Sequence, residues 1–257
     1  MTAGITKKIH DTVFMIGELG YLGVESIKCC LTRPFYFSKL MEQINLLGIG
    51  SLSITIVIGL VMGLVMTLQF GFGLAKFGGT LYVPGVVALS LTREMAPIFT
   101  SLLVAGRIGS GITAEIGSMN VTQQVDAIRA LGTSPIRVLV VPRLLAAMIS
   151  LPLLTAVSNV LGILGGMVIC SVEFHIPPGF YFQRVFSTVK LHDFSSGLLK
   201  TVFFATVITL VACYKGFNTT EGTKGVGQST TWVVVVSSIL ILISDFFLSK
   251  IFLLLLV

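Results

Sequence analysis

Two adjacent ionisable residues, Arg93 and Glu94, lie in a stretch that is otherwise apolar enough to cross a bilayer. A charge at membrane depth costs about 2.5–3.5 kcal/mol even on lenient insertion scales, so it is rarely retained without a partner or a function. Pro97 follows shortly afterwards and lacks the amide hydrogen that would bond the carbonyl of Arg93. We therefore expect a free acceptor and a kink beside the charges. This pattern favours transport over simple anchoring.

Composition indicates an integral membrane protein. Of the 257 residues, 54% are hydrophobic and only 11% are charged, whereas a soluble domain has about 25% charged residues. Residues 43–75, 144–172 and 225–244 contain no Asp, Glu, Lys or Arg. Each run reaches the roughly 20 residues that a spanning helix needs, and none alternates as barrel strands do. The predicted fold class is an all-α integral membrane protein.

Five transmembrane helices are predicted within a membrane domain of residues 46–257. With the N-terminus inside, ten Lys and Arg residues lie in inner segments and three lie in outer loops, so the C-terminus is expected outside. The spans are predicted at 46–75, 83–112, 143–172, 195–215 and 230–257. The inner set is Lys7, Lys8, Lys28, Arg33, Lys39, Arg129, Arg137, Arg143, Lys215 and Lys224, and the outer set is Lys76, Arg184 and Lys190.

Residues 1–40 are too polar to span, and the region 1–45 is predicted to form an N-terminal interfacial (elbow) helix. Ile9, Val13 and Ile16 fall near one helical face, as in a helix that lies in the membrane interface. Arg33-Pro34 then predicts a break before the first span. An amphipathic leader without a bracing role is an equal alternative. No cleavable signal peptide is predicted, since charges interrupt the apolar positions.

The longest inner loop, residues 113–142, is predicted to carry a short amphipathic helix at about 119–131. Four apolar residues fall on one of its faces, Gly132 ends it, and Pro135 prevents its continuation. A partner bound to this helix could move the two spans that it connects, whereas a plain solvated connection is the alternative. The apolar face consists of Val121, Val125, Ile128 and Leu131.

A long segment of the chain resembles the core of the MlaE (YrbE) permeases, the membrane subunits of Mce-associated ABC transporters that move phospholipids and related lipids. The segment is residues 91–155, LTREMAPIFTSLLVAGRIGSGITAEIGSMNVTQQVDAIRALGTSPIRVLVVPRLLAAMISLPLLT, within a weaker similarity over 48–257. The resemblance implies a homodimer, an ABC ATPase at a cytoplasmic coupling helix, a periplasmic Mce-domain protein (a hexamer) and a STAS-domain regulator. It also implies the bacterial inner membrane and a role in outer membrane lipid asymmetry.

By the same resemblance, several residues of the inner loop are expected to contact the ATPase. The usual motif carries Glu-Gln where this chain has Gln123-Gln124, a difference that should alter the contact without abolishing it. The sequence contains no G-x-x-x-x-G-K-[ST], so ATP and magnesium would be used by a separate subunit, and this chain is expected to be a cofactor-free transport subunit rather than an enzyme. The expected coupling residues are Glu115, Gln123, Gln124, Asp126, Arg129 and Gly132.

Arg93, Glu94, Lys200 and Asp245 are predicted to form one charged layer in the outer half of the bilayer. At 1.5 Å per residue, Arg93 lies about 15 Å and Lys200 roughly 8 Å from the outer ends of their spans. In one interpretation these cations and carboxylates pair and hold the helices together. In the other, which the resemblance and intramembrane charge favour, they line a cavity for a phospholipid headgroup.

Neighbouring residues of the first span are predicted to complete the lipid site. Gln69 would add a polar contact, and methionine and phenylalanine residues would surround the acyl chains, since Met packs adaptably. Ordinary helix packing is the more economical explanation of any single apolar residue. The predicted acyl-chain residues are Met62, Met66, Phe70, Phe72 and Phe77.

Other functions are less well supported by the sequence. A secondary carrier or channel with Arg93 and Asp245 as an ion relay is the main alternative, but inverted repeats, which would favour it, are not evident. A non-transporting scaffold is the third. His10, His175 and His192 are scattered and the cysteines lack metal spacing, so no metal site is proposed. The net charge of +6 is attributed to membrane topology rather than to nucleic-acid binding.

Overall fold

The computed structural model describes residues 2–31, 36–220 and 222–256, and the regular structure within them is helical. Five of these helices are long and apolar enough to cross a membrane, which confirms the predicted fold class. The helices extend further than predicted at several ends, because they continue through polar turns that a search for apolar runs excludes. The spans are Phe37–Ala75, Thr80–Val121, Ile136–Val172, Leu191–Phe217 and Gly222–Leu254.

Within the described ranges, three further helices lie outside the spans: the N-terminal helix Thr2–Leu31, the loop helix Gln124–Ala130 and the Pro178 helix, Pro178–Thr188. The N-terminal helix agrees with the predicted helical content of this region. The side chains that were predicted to form its apolar face, and the predicted break at Arg33-Pro34, lie outside the residues whose placement is described. The first span begins at Phe37 and passes through a π turn, Asn45–Ile49, so part of the predicted interfacial region belongs to a span helix.

The chain divides into two compact units. The charged unit comprises residues 45–104, 148–205 and the described part of 240–257. The loop unit comprises the described parts of 1–44 and 206–239 together with 105–147.

Small residues bring the first and third spans together in the charged unit. A Cβ on Gly63 would overlap the carbonyl of Gly162, and a Cβ on Gly59 would lie 2.9 Å from Cα of Ser158. Gly59 and Gly63, which have the GxxxG spacing, therefore pack the first span backbone against backbone with the third, as is common where lipid provides no hydrophobic drive. The Pro178 helix packs onto the third span through Tyr181, whose hydroxyl donates to the carbonyl of Ile163 at 2.8 Å.

In the loop unit, polar side chains connect the second span to the fourth. Oγ1 of Thr113 donates to the carbonyl of Ala212 at 3.2 Å, and Nδ2 of Asn120 donates to the carbonyl of Thr219 at 3.1 Å. Gly117 allows this approach, since a Cβ there would lie 3.2 Å from Oγ1 of Thr219. These contacts fix the position of the C-terminal end of the second span, which directly precedes the loop helix.

Candidate functional site

The charged pair of the second span lies in a π turn, Leu91–Met95. Because Pro97 has no amide hydrogen, the regular ladder is interrupted, and the amide of Ala96 bonds the carbonyl of Leu91. The carbonyl of Arg93, which Pro97 leaves without its usual partner, accepts a hydrogen bond from Nζ of Lys200 at 3.1 Å. The free carbonyl expected from the sequence is therefore occupied by the buried ammonium group of Lys200. Single π turns within α-helices are frequent at functional sites.

The fourth span reaches this turn because of a glycine. A Cβ on Gly197 would overlap the carbonyl oxygen of Thr92, so any larger residue would push the fourth span away from the second. Lys200 lies one turn further along and enters the space beside the π turn. Since the fourth helix begins at Leu191, Lys200 is about 14 Å from its start, deeper than the sequence indicated.

Lys200 is the centre of the charged cluster. Its side chain is only 2% exposed, and its ammonium group lies 2.7 Å from Oε2 of Glu94 and 3.3 Å from Oδ1 of Asp245. Oγ of Ser249 accepts a further hydrogen bond from Nζ at 2.7 Å and itself donates to the carboxylate of Glu94. Burial of an ammonium ion is tolerated only with such compensation. In this arrangement the donors of Lys200 are directed at protein acceptors.

Arg93 pairs with a residue that the sequence analysis missed, Asp193. Nε of Arg93 donates to Oδ1 of Asp193 at 2.7 Å, and a second guanidinium nitrogen also contacts this carboxylate. Oδ2 of Asp193 accepts from the amide of Lys190 at 2.9 Å, the bond that an acid in the first turn makes to a helix N-cap. An acid shortly after the start of a long apolar helix, as in Leu191-His192-Asp193, is the sequence signal for such a cap. It was missed because the predicted span began at residue 195.

The cluster is open on one side. Arg93 and Glu94 are 31% and 34% exposed, whereas Lys200 and the pairing carboxylate of Asp193 are 2% exposed. The opening leads to a cavity of about 50 Å³, which is room for roughly one or two water molecules. Arg93 and Glu94 are therefore accessible, and the buried Asp193 and Lys200 fix their positions through ion pairs. The cavity is lined by Arg93, Glu94, Ser196, Lys200, Ser249, Phe252 and Leu253.

A wholly apolar groove of about 560 Å³ lies in the same unit, between the first and second spans. Met62 and Met66, both predicted to surround acyl chains, line it together with Met95, the residue after Glu94. Phe70 instead packs half-buried against the apolar core. Gln69 is exposed, and Phe77, in the turn after the first span, is 87% exposed; neither lines the groove or the charged cavity.

The inner-loop segment differs from the predicted continuous helix at 119–131. The second span continues to Val121, Gln123 takes a left-handed conformation (φ 61°), and the separate loop helix Gln124–Ala130 follows. The predicted apolar face is divided accordingly: Val125 is fully buried, whereas Val121 and Leu131 are exposed. The prediction of one continuous helix was wrong, because hydrophobic periodicity does not reveal a single residue in the left-handed conformation.

The predicted end of the loop helix is confirmed. Gly132 has a φ of 74°, its amide bonds the carbonyl of Arg129 at 2.9 Å, and the amide of Thr133 bonds the carbonyl of Ile128 at 3.2 Å. These two bonds form a Schellman motif, which requires glycine or asparagine at the left-handed position. The predicted coupling residues Gln124, Asp126 and Arg129 are exposed on this helix.

Glu115 has an intramolecular partner. Its Oε1 lies 2.6 Å from a guanidinium nitrogen of Arg143, whose side chain is 5% exposed and also donates to the carbonyl of Leu139 at 2.6 Å. The pair connects the end of the second span to the start of the third, on either side of the loop helix. Glu115 remains half exposed, so its carboxylate pairs with Arg143 and is also accessible from outside the protein.

Comparison with known proteins places these features in a family. The sequence profile described as permease MlaE matches residues 40–251. A probable ABC transporter permease of Rickettsia typhi is 38% identical over 245 residues, which cover 95% of this chain and 93% of the relative. A probable ABC transporter permease of Synechocystis is 43% identical over 209 residues, with 81% and 80% covered.

A relative from a plant organelle extends the similarity. The chloroplastic protein TRIGALACTOSYLDIACYLGLYCEROL 1 of Arabidopsis thaliana is 34% identical over 222 residues, which cover 86% of this chain and 63% of that protein. The profile match includes the charged cluster, the apolar groove and the loop helix. The chain therefore belongs to the MlaE family of ABC transporter permeases.

Proposed function

We propose that this permease moves phospholipids or related lipids between the inner membrane and a periplasmic carrier. The observation that carries the proposal is the partly exposed Arg93–Glu94 pair at a π turn within a span, where Asp193 pairs with Arg93 and Lys200 pairs with Glu94. The name of the Arabidopsis relative, which is that of a galactolipid, is consistent with a lipid substrate. Membership in an ABC permease family argues against an ion-relay carrier and against a scaffold.

The exposed charges fit a zwitterionic or anionic headgroup. Arg93 would bind phosphate through its planar guanidinium, and Glu94 would meet an ammonium group. Lys200 and Asp245 would position this pair, because the ammonium group of Lys200 already faces four acceptors. A cavity of about 50 Å³ is smaller than a headgroup, so lipid entry must widen it, and rearrangement of the Arg93–Asp193 pair is the shortest route.

The apolar groove would take an acyl chain. Its volume of about 560 Å³ lies within the range of about 300–1,000 Å³ that is usual for ligand pockets, and it presents only apolar side chains. Met62, Met66 and Met95 can repack around chains of different length and saturation. A second copy of the permease seated on this groove is the competing occupant.

Movement of lipid would be driven from the loop helix. A permease of this class works with a separate ATPase, which would use ATP and magnesium and bind at the exposed Asp126 and Arg129. The Glu115–Arg143 pair would transmit the displacement to the second and third spans together. We propose the same assembly as the sequence resemblance implies: a homodimer, a hexameric Mce-domain protein outside, and a STAS-domain regulator on the ATPase. The N-terminus would be cytoplasmic and the C-terminus periplasmic.

The test is the lipid that the protein retains. The full chain is purified with its ATPase, and bound lipids are identified by mass spectrometry for the wild type, Arg93→Ala and Glu94→Gln. Both variants should retain several-fold less phospholipid with the ATPase still bound. Lys250→Ala is the matched control, since Lys250 follows Ser249 but is exposed and lies outside the cavity lining. Unchanged lipid in both variants would exclude the headgroup role.

A further inference from the structure

A polar cavity of about 250 Å³ lies in the loop unit, at the turn between the fourth and fifth spans. Its volume is below the range of about 300–1,000 Å³ for drug-sized ligands, so it suits a headgroup-sized moiety rather than a whole amphiphile. Lysine, tryptophan, two amide side chains and two hydroxyls face it. The lining includes Lys215, Asn218, Thr220, Gln228, Ser229 and Trp232.

Lys215 and Trp232 form one side of this cavity. Nζ of Lys215 lies 5.2 Å from the centroid of the Trp232 ring, within the range of a cation–π contact, and both residues are half-buried. Tryptophan and lysine together are typical of the headgroup level of a membrane. Such a pair is therefore expected at the depth where lipid phosphates lie.

An apolar surface continues from the cavity along the fifth span. Val235 and Ile239 lie three and seven residues after Trp232, on the same helical face, and are 52% and 50% exposed. A soluble phosphate compound would make no use of this surface, whereas an acyl chain would lie against it. The charge bias of the chain puts this turn on the cytoplasmic side, where basic pockets between spans bind anionic headgroups.

We propose that this cavity binds the phosphate of an anionic phospholipid of the cytoplasmic leaflet. The ammonium group of Lys215 contacts the phosphate, the amides of Asn218 and Gln228 donate to its oxygens, and the acyl chain lies along Val235 and Ile239. The proposal rests on the membrane orientation given under the proposed function and not on its substrate. The residues are distinct from those of the Arg93–Glu94 cluster.

Trp232 is the single tryptophan of the chain, so its fluorescence reports on this cavity alone. The full-length protein is reconstituted in phosphatidylcholine vesicles that contain increasing fractions of phosphatidylglycerol brominated on its acyl chains. Saturable quenching beyond that produced by brominated phosphatidylcholine is expected. Lys215→Gln should weaken the apparent affinity for phosphatidylglycerol on the order of tenfold, because a charge-assisted contact is lost.

Matched variants separate the site from general surface charge. Lys224→Gln removes an exposed lysine in the first turn of the fifth span that does not line the cavity and should leave quenching unchanged. Gln228→Ala, an exposed position, should weaken binding several-fold and keeps the test informative if Lys215→Gln fails to fold. Equal quenching by the two brominated lipids, or no effect of both Lys215→Gln and Gln228→Ala, would overturn the proposal.

The source of the phosphate is tested separately. Inorganic phosphate is added to protein in phosphatidylglycerol-containing vesicles at constant ionic strength. A lipid site should lose little quenching, since the acyl chain contributes to binding. Full displacement by inorganic phosphate would assign the cavity to a soluble phosphate compound and reject the lipid. Because Trp232 reports contact rather than transport, either result leaves the role of Arg93 to be decided by its own experiment.

Discussion

The ammonium group of Lys200 donates to the backbone carbonyl of Arg93 at 3.1 Å, the carbonyl that Pro97 leaves without its usual helical partner. A side chain of the fourth span thus completes a hydrogen bond that the second span cannot make for itself. The same ammonium group contacts the carboxylate of Glu94 at 2.7 Å. The π turn is therefore held through its backbone and through one of its charged side chains.

Pro97→Ala should weaken lipid retention without unfolding the protein. The restored amide can bond the carbonyl of Arg93 and compete with Lys200, which reorients the π turn; loss of one such hydrogen bond, about 1 kcal/mol, corresponds to about fivefold in binding. Bound phospholipid is measured by mass spectrometry, and thermal unfolding is measured alongside. Pro152→Ala, in the interior of the third span, is the control and should retain lipid normally. Wild-type retention in Pro97→Ala would show that the turn does not need the proline.

Lys200→Met should destabilise the protein by about 3–5 kcal/mol, because the largely buried carboxylate of Asp245 would lose its cation, and the partly exposed carboxylate of Glu94 would add less. Thermal unfolding in detergent measures the effect. Adding Asp245→Asn to Lys200→Met should recover part of the loss, since it removes the more buried of the two uncompensated charges. A double variant no more stable than Lys200→Met would indicate that packing, not charge, is what Lys200 provides.

Asp193→Asn should change which lipids are retained. The variant removes a carboxylate from the guanidinium group of Arg93 yet keeps a side-chain oxygen for the amide of Lys190. With Arg93 no longer neutralised, the share of anionic phospholipid among the bound lipids should rise, in the opposite direction to Arg93→Ala. The measurement is the ratio of anionic to zwitterionic lipid in the purified protein. A fall in that ratio, or no change, would contradict a phosphate contact at Arg93.

The sequence was informative where the signal is local. Apolar runs reveal spans, Gly132 reveals a helix end, and Pro97 reveals a missing amide, because each depends on neighbours in the chain. Residues 93 and 94 stood out for the same reason, as charges within an apolar run. The helical content and the number of spans follow directly from such patterns.

Contacts between residues far apart in the chain could not be predicted from the sequence in the same way. Asp193 lies 100 residues from Arg93, at a helix start that hydropathy places in a loop, so only the packed structure connects them. The position of Gln123 in the left-handed region, which divides the predicted coupling helix, leaves no trace in an apolar periodicity. Lys200 was correctly singled out as an intramembrane charge, but its burial depends on the close approach at Gly197.

Glu115→Lys and Asp126→Lys should both uncouple ATP hydrolysis from lipid transport, but through different physical effects. Glu115→Lys places a second cation beside the buried guanidinium of Arg143, and we expect a loss of about 1–3 kcal/mol in stability, moderated because Glu115 is half exposed. Asp126 and its partner Arg129 are both largely exposed, so Asp126→Lys should change stability by no more than about 0.5 kcal/mol. Its effect should instead be weaker binding of the ATPase.

Three measurements on the reconstituted transporter separate these effects: thermal unfolding, affinity for the ATPase, and lipid moved per ATP hydrolysed. For Glu115→Lys we expect lower stability and a lower transport ratio with the ATPase still bound, because the second and third spans are no longer connected through Arg143. For Asp126→Lys we expect normal stability and a reduced affinity. If Glu115→Lys instead keeps full stability and loses the ATPase, then Glu115 acts as a direct partner contact, and its pairing with Arg143 has no part in coupling.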